Sequence, residues 1–160
     1  MRRIIVLILV ALLLGGCGRQ ETFETLNDEY LRPVMVEQRR ILVDVDEDAL
    51  VLQGQNGTAY LCDGYSVTTQ VLSAGNLNGT VKTLTGFEAD ELTVMQTASV
   101  GYSRYACAWS ASSESGVVVG KAVILDDGMY HYCITVIADA AAADTLQEVM
   151  DSIFDSVTLA

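Results

Sequence analysis

Residues 116–138, GVVVGKAVIL-DDG-MYHYCITVIA, are the part of the sequence that decides the fold. Two runs of β-branched and aromatic residues flank Asp126-Asp127-Gly128, a combination typical of a β-hairpin with a tight turn. A two-residue loop at Asp127-Gly128 pairs Leu125 with Tyr130. Apolar side chains fall on both faces of this hairpin, which predicts a sheet that is at least partly covered on both sides.

Further strands are predicted on the N-terminal side of this hairpin. Asn56-Gly57 between apolar runs is a strong hairpin signal, and residues 101–109 form the strand directly before the central hairpin. The remaining predicted strands are residues 41–45, 50–52, 58–62, 65–72 and 92–97. A short helix is predicted over residues 76–85, ended by Gly86.

The C-terminus is predicted to be a long amphipathic helix with Asp139 as its N-cap. One continuous apolar stripe supports this prediction, formed by Leu146, Val149, Met150, Ile153, Phe154 and Val157. A second helix is predicted over residues 21–32, before Pro33. The chain is therefore expected to be a single α+β domain over residues 23–160, with a mainly antiparallel sheet and packed helices.

The N-terminus has the parts of a secretory signal in order. Arg2 and Arg3 precede an apolar run from Ile4 to Leu14, and Gly15-Gly16 precede Cys17. Eleven residues span only about 16 Å as a helix, against a bilayer core of about 30 Å, so a permanent transmembrane anchor is not expected.

This segment resembles a bacterial lipoprotein signal, whose cysteine is acylated and becomes the new N-terminus. The resemblance implies a signal peptide over residues 1–16, a lipidated Cys17 carrying acyl chains such as palmitate, and a spacer to residue 22. Two or three acyl chains give stable anchoring, so the expected location is the extracytoplasmic face of the cell membrane. The alternative is an ordinary signal peptide cut near Gly16 that leaves Cys17 free.

The charge of the chain excludes one class of partner. The full chain carries 9 basic and 21 acidic residues, and removal of residues 1–16 takes away two basic residues, so the net charge becomes −14. Such a domain repels nucleic-acid phosphates and anionic lipid head groups. Nucleic acid is therefore not an expected partner, and the lipid on Cys17 has to provide membrane attachment.

Three cysteines remain besides Cys17: Cys62, Cys107 and Cys133. An odd number allows at most one internal disulfide and one free thiol. Each lies in an apolar, strand-like run, which favours three buried thiols over a disulfide plus a thiol. No CxxC motif is present, so neither a zinc site nor a redox site is expected.

The order of strands, short helix, antiparallel strands and terminal helix resembles the PsbP-like α/β/α sandwich. The matching segments are Ser103-Arg104-Tyr105, the hairpin around Asp127-Gly128 with Tyr130 and Tyr132, and the ending at residues 154–159. Members of this family are small extracytoplasmic or thylakoid-lumen proteins that share no catalytic residues. The resemblance implies an accessory or binding role over residues 41–160. Residues 60–65 and 126–132 are also similar to uncharacterised lipoproteins of anaerobic Gram-positive bacteria.

A ligand-binding site is the first functional hypothesis. Aromatic residues fall on adjacent predicted strands close to the basic residues Arg104 and Lys121, and such a set can line a ligand or peptide groove. The candidate residues are Arg104, Tyr105, Trp109, Tyr130 and Tyr132. Core and cross-strand packing is the competing interpretation of the same aromatic residues. A protein or another envelope component is the expected partner, and no cofactor is expected.

An enzyme is the second hypothesis. His131 is the one histidine, and GxSxG, HExxH and phosphate-loop motifs are absent from the sequence. Asp44, Asp46, Glu47 and Asp48 form an acidic cluster that offers oxygen ligands to calcium, but its spacing is not that of an EF-hand. We therefore expect no catalytic residues and no metal ligands. The alternative is a surface-tethered hydrolase or metal-dependent enzyme that uses this cluster or His131.

Overall fold

A computed structural model describes residues 37–113 and 116–160 of the protein. The predicted signal peptide at 1–16, the lipidated Cys17 with its spacer, and the helix at 21–32 lie outside these residues. No helix among the described residues is long and apolar enough to cross a membrane.

The described residues form an α+β fold built on a seven-stranded antiparallel sheet. The elements in chain order are β1 (Ile41–Leu42), β2 (Leu50–Gln53), β3 (Gly57–Leu61), β4 (Tyr65–Ser73), α1 (Leu77–Thr85), a 3₁₀ turn (Ala89–Glu91), β5 (Met95–Ser99), β6 (Tyr102–Ser113), β7 (Gly116–Asp126), β8 (Tyr130–Asp139), α2 (Ala143–Ser156) and β9 (Thr158–Leu159). The sheet order is β2-β3-β4-β8-β7-β6-β5, and β1 pairs separately with β9.

The central hairpin is present, but its predicted register is wrong by two residues. Leu125 pairs with Tyr132 rather than with Tyr130. The Asp127 carboxylate accepts the main-chain N–H groups of Met129 (2.9 Å) and Tyr130 (2.8 Å), which moves the loop to Gly128-Met129. Gly128 begins this loop with a φ of 89°, a conformation that favours glycine. Since side chains alternate with a period of two, the shift leaves every residue on its predicted face.

The β2–β3 hairpin confirms the prediction at Asn56-Gly57, with the turn one residue earlier than expected. Gly54 donates its N–H to the Gly57 carbonyl at 2.8 Å, so Gln55 and Asn56 form the loop. Gly57 is required for a close approach, because a Cβ there would lie 2.1 Å from the Thr69 carbonyl oxygen.

One face of the sheet, which we name the α2 face, carries the main core. Tyr132, Ile134 and Val136 of β8 are fully buried there, together with Val67 and Leu125 of the neighbouring strands. Helix α2 covers them with the side chains of Met150, Ile153 and Phe154, and Val157, directly after the helix, packs against the same core. Strand β1 completes this side at only two residues, shorter than the predicted 41–45, and Val43 and Val45 pack half-buried against the same core.

Helix α2 begins later than the sequence predicts. Asp139 is not its N-cap, because β8 continues through Asp139, which still pairs with Val118. The helix starts at Ala143 without a side-chain cap. Of the predicted apolar stripe, Val149 is exposed and Leu146 is half-buried, so the closest packing is in the C-terminal half of the helix.

The opposite side of the sheet, the α1 face, has a smaller apolar cluster. Val81 of α1 packs against Ile124 and Cys133. Asn76 caps α1 by accepting the N–H of Asn78 at 3.0 Å, and Gly86 ends the helix in a left-handed conformation. Apolar side chains beyond the reach of α1 are exposed on this face, namely Leu50, Leu52, Leu61 and Ile137.

All three cysteines of the described domain are free thiols. Cys107 and Cys133 are buried, as the strand-like runs predict, whereas Cys62 is only half-buried, so the expectation of three buried thiols is wrong for Cys62. Burial raises the pKa of the Cys133 thiol to about 12, and it also raises that of Cys107. Both side chains pack within the domain, and a raised pKa keeps a thiol protonated at neutral pH.

Candidate functional site

The five predicted ligand-binding residues do not share one surface. The alternation of strand side chains places Arg104, Tyr130 and Tyr132 on the α2 face. Tyr105 and Trp109 lie on the α1 face, opposite Ile124 and Gly120. A single aromatic groove made of all five residues is therefore not formed.

The two tyrosines on the α2 face have structural contacts. Their rings pack with centroids 6.1 Å apart, tilted by 60°. The fully buried Tyr132 donates its hydroxyl to the Asp127 carboxylate at 3.0 Å and accepts the N–H of Arg39 at 3.1 Å. Burial would by itself raise the pKa of Asp127, but the N–H groups of Met129 and Tyr130, the Tyr132 hydroxyl and Arg39 hold it below its ordinary value. This network attaches the β7–β8 turn to Arg39, just before β1.

The aromatic residues on the α1 face are also engaged in packing. The Trp109 ring lies over Gly120, where a Cβ would come within 2.3 Å of it. Tyr105 packs beside the Val81 cluster, and its hydroxyl accepts from Gln96 at 3.3 Å. Core and cross-strand packing thus accounts for four of the five candidates, and Arg104 is the exception.

Arg104 lines a cleft of about 330 Å³ between α2 and the edge of the sheet. We name it the α2–β6 cleft and define it by six residues: Met95, Arg104, Ala106, Ala108, Lys121 and Phe154. Ala106 lies between Met95 and Val123 across three strands, so its small side chain leaves a hollow between two larger ones. Met95 on edge strand β5 is 64 % exposed, which shows that α2 does not cover this edge.

Two cations stand at the two ends of this cleft. Arg104 donates a guanidinium N–H to the carbonyl of Phe154 at 2.9 Å, near the C-terminus of α2, where helix carbonyls lack partners within the helix. Lys121 forms an ion pair with Asp151 at 2.7 Å, and this hydrogen bond holds the pKa of Asp151 below its ordinary value. Among the described residues Arg104 has no ion pair. Of the two cations at this cleft, Lys121 is therefore paired with a carboxylate and Arg104 is not.

Three residues of the predicted acidic cluster, Asp44, Asp46 and Glu47, line a different groove of about 480 Å³ beside Glu148 of α2. Asp46 accepts the N–H of Asp48 at 3.0 Å, and Asp44 donates its own N–H to the Ser156 hydroxyl at 2.9 Å. The first contact belongs to a turn, and the second attaches this segment to the C-terminal end of α2. Within residues 37–113 and 116–160, no three His, Cys, Asp or Glu side chains come close enough together to hold a metal ion.

His131 lies beneath α1 in a polar arrangement that the sequence did not reveal. Its Nδ1 is 2.7 Å from the Thr80 hydroxyl, and its Nε2 is 3.7 Å from the Asp126 carboxylate. The three groups occur in the order of a hydroxyl, imidazole and carboxylate triad. Only 1 % of His131 and 7 % of Thr80 is exposed, so both side chains are buried between α1 and the sheet. The arrangement instead attaches α1 to the sheet.

The architecture is a PsbP-like fold. One similar solved structure is that of cyanobacterial PsbP (CyanoP) from Synechocystis sp., with a TM-score of 0.55 and 10% identity over 79% of this chain and 96% of that one. Another is LpqN, involved in cell envelope biogenesis of Mycobacterium tuberculosis, with a TM-score of 0.51 and 14% identity over 76% and 84%. At such identities the likeness shows the fold alone. No protein-family model and no curated protein matches the sequence.

The sequence pointed to Arg104, with Lys121 as a nearby basic residue, but did not indicate Met95, Ala106, Ala108 or Phe154 as residues of the cleft. Ala106 and Ala108 follow Arg104 at spacings of two on the same face of β6, and this small-residue pattern is visible in the sequence. Phe154 is 50 residues away from Arg104 and reaches it only through the packing of α2. No local pattern indicates that contact.

Proposed function

We propose that the protein is a lipid-anchored binding or accessory protein on the extracytoplasmic face of the membrane, without catalytic activity. The α2–β6 cleft is the observation that carries the binding role. It joins an apolar floor to a cation without a carboxylate partner, and ligand sites combine an apolar lining with few polar groups in this way. A protein or another envelope component is the partner expected in addition to the membrane.

The anchor rests on the N-terminal sequence. Cys17 follows a positively charged, short apolar segment and two glycines, and the net charge of −14 after removal of residues 1–16 disfavours attachment through the domain surface. LpqN, which has a similar fold, is involved in envelope biogenesis, and this fold-level analogy agrees with an extracytoplasmic role.

The absence of catalysis is proposed from the position of His131. Its imidazole is occupied by the Thr80 hydroxyl under α1, and both residues are buried. The hydrolase alternative makes a distinct prediction: His131→Gln would abolish a hydrolytic activity while the melting temperature stays unchanged. We expect His131→Gln to lower the melting temperature, because the variant loses the buried contact with Thr80. We expect no hydrolytic activity that the substitution could abolish.

The test of the proposed function is recovery of the native tethered protein from membranes, followed by mass spectrometry. The N-terminal peptide should begin at Cys17 with the added mass of its acyl chains, and material bound to the domain should be recovered with it. The matched control is Cys17→Ser, which should be unprocessed or released from the membrane. Normal processing and full membrane retention of Cys17→Ser would contradict the anchor.

A further inference from the structure

We infer that the α2–β6 cleft binds a carboxylate with one acyl chain. The acyl chain lies on the apolar floor, and the carboxylate accepts hydrogen bonds from Arg104. This inference rests on the proposed binding function and names the ligand class of that same site. It follows from three features of the cleft: its shape, the apolar character of its floor, and the different ion pairing of its two cations.

The shape of the cleft favours one linear chain. Arg104, Ala106 and Ala108 point to the same side of β6, so the floor extends about 13 Å from the cation along the strand. A volume of about 330 Å³ lies at the small end of the range of ligand cavities, roughly 300–1,000 Å³. One acyl chain fits such a space, whereas a two-chain lipid requires more.

The floor and walls are apolar along this path. Ala106 and Ala108 form the floor, Met95 stands on the edge-strand side, and Phe154 stands on the helix side. The exposed Met95 side chain is unbranched and flexible, which allows it to close over a chain of varying shape. Covering Met95 and the alanines would remove apolar surface from water and favour binding.

The two cations differ in their ability to bind the carboxylate of a ligand. Lys121 is neutralised by Asp151 at 2.7 Å. Arg104 donates to the uncharged Phe154 carbonyl, and its planar guanidinium has five N–H donors in all, so donors remain for a ligand. A carboxylate matches this fork with two parallel hydrogen bonds.

The alternative role of Arg104 is purely structural: it caps the C-terminus of α2. Its bond to Phe154 does so, but capping does not account for the alanine floor beside it. Five lysines and arginines lie among the described residues, and two of them border this one cleft in a strongly acidic protein. The combination of a cation and an unfilled apolar hollow is what points to a ligand.

The test is calorimetric titration of the full-length Cys17→Ser chain, which carries no acyl chain of its own. Three probes have the same chain and different head groups: decanoate, decanol and decyltrimethylammonium. Decanoate is expected to bind at least tenfold more tightly than decanol, and the cationic probe should bind least. Equal binding of decanoate and decanol would overturn the carboxylate assignment while leaving a binding role for the cleft.

Two variants locate the site. Arg104→Gln should weaken decanoate at least tenfold and leave decanol unchanged, whereas Lys82→Gln, which removes an exposed cation paired with Glu88, should change neither. Ala106→Leu fills the floor and should abolish binding of both probes without lowering the melting temperature. Because Arg104→Gln also removes the α2 cap, Ala106→Leu keeps the test valid if Arg104→Gln unfolds.

Failure of this inference is distinguishable from failure of the proposed function. If none of the three probes binds the wild-type cleft, or if Ala106→Leu binds decanoate normally, the acyl-carboxylate site is refuted. The proposed function is decided separately, by the acylated N-terminus and the material recovered with the native protein.

Discussion

The two faces of the sheet are stabilised in different ways. The α2 face is an apolar core in which Tyr132, Ile134 and Val136 are fully buried under a fourteen-residue helix. The α1 face has a small apolar cluster and a polar contact between Thr80 and His131. Burial of apolar side chains therefore provides stability on one face, whereas a specific hydrogen bond positions the helix on the other.

Two consecutive residues in one turn serve these two faces. Asp126 lies on the α1 face, 3.7 Å from the His131 ring, and Asp127 accepts the Tyr132 hydroxyl on the α2 face. Because strand side chains alternate, adjacent carboxylates point to opposite sides of the sheet. The turn sequence therefore contributes to both layers.

The largest effect is expected from a pair of substitutions on β8 that differ only in face. Ile134→Ala removes a fully buried side chain from the α2 face and should cost about 2–5 kcal/mol of unfolding free energy. Ile137→Ala, on the α1 face and 37 % exposed, should cost less than about 1 kcal/mol because water already reaches that side chain. Urea denaturation measures both, and equal losses would refute the difference between the faces.

The polar contact of the α1 face is tested by Thr80→Val. The change leaves His131 Nδ1 buried without its partner and should cost about 1–3 kcal/mol. Thr83→Val is the matched control in the same helix, since Thr83 is exposed and bonds only to the Gly79 carbonyl. Thermal unfolding of the two variants should separate them clearly. A Thr80→Val protein as stable as the Thr83→Val protein would show that the contact is dispensable.

Asp127, which bonds to Tyr132 on the α2 face, makes the stability of the protein depend on pH. Because its pKa in the folded protein lies below the ordinary value of 3.8, its contribution is complete above pH 3.8 and is lost as the pH falls through the folded-state pKa. Asp127→Asn should lower the free energy of unfolding at pH 7 by about 1 kcal/mol. Between pH 7 and pH 3 the variant should then lose less stability than wild type. Denaturant unfolding at pH 7 and pH 3 measures this.

Tyr132→Phe serves as the companion variant for that measurement. It removes one donor to Asp127 but keeps the carboxylate and its bonds to the N–H groups of Met129 and Tyr130. We expect an intermediate acid loss, between those of wild type and Asp127→Asn. An Asp127→Asn protein with an unchanged acid profile would show that other carboxylates govern acid unfolding.

The smallest effect, with the opposite sign, is expected in α1. Gly79→Ala places a methyl group where nothing lies within 4 Å and should stabilise the protein by about 0.5 kcal/mol, because alanine loses less backbone entropy. Gly86→Ala is the contrasting variant, since a φ of 80° strains any larger residue, and it should destabilise. Differential scanning calorimetry resolves the two signs, and destabilisation by Gly79→Ala would indicate an unrecognised contact at α1.

Much of the fold was predictable because the signals are local. The hairpins at Asn56-Gly57 and Asp127-Gly128, and α1 with its end at Gly86, follow from turn and capping chemistry within a few residues. The register error at β7–β8 shows the limit of such signals, because side chain to main chain bonds from Asp127 selected the loop. The late start of α2 has a similar origin, since the ladder of β8 extends through Asp139.

The candidate site was predictable only in part. Arg104 was identified from its strand, but the proposed groove combined residues from two faces that no local pattern separates until the strand register is known. Hairpin periodicity specified that both faces are apolar and that their residues alternate, because that information is carried by neighbouring residues. The cleft depends on where α2 lies relative to β5 and β6, and on Phe154 meeting Arg104 across 50 residues. Such contacts arise from packing between distant segments, so they are settled only when the whole domain has folded.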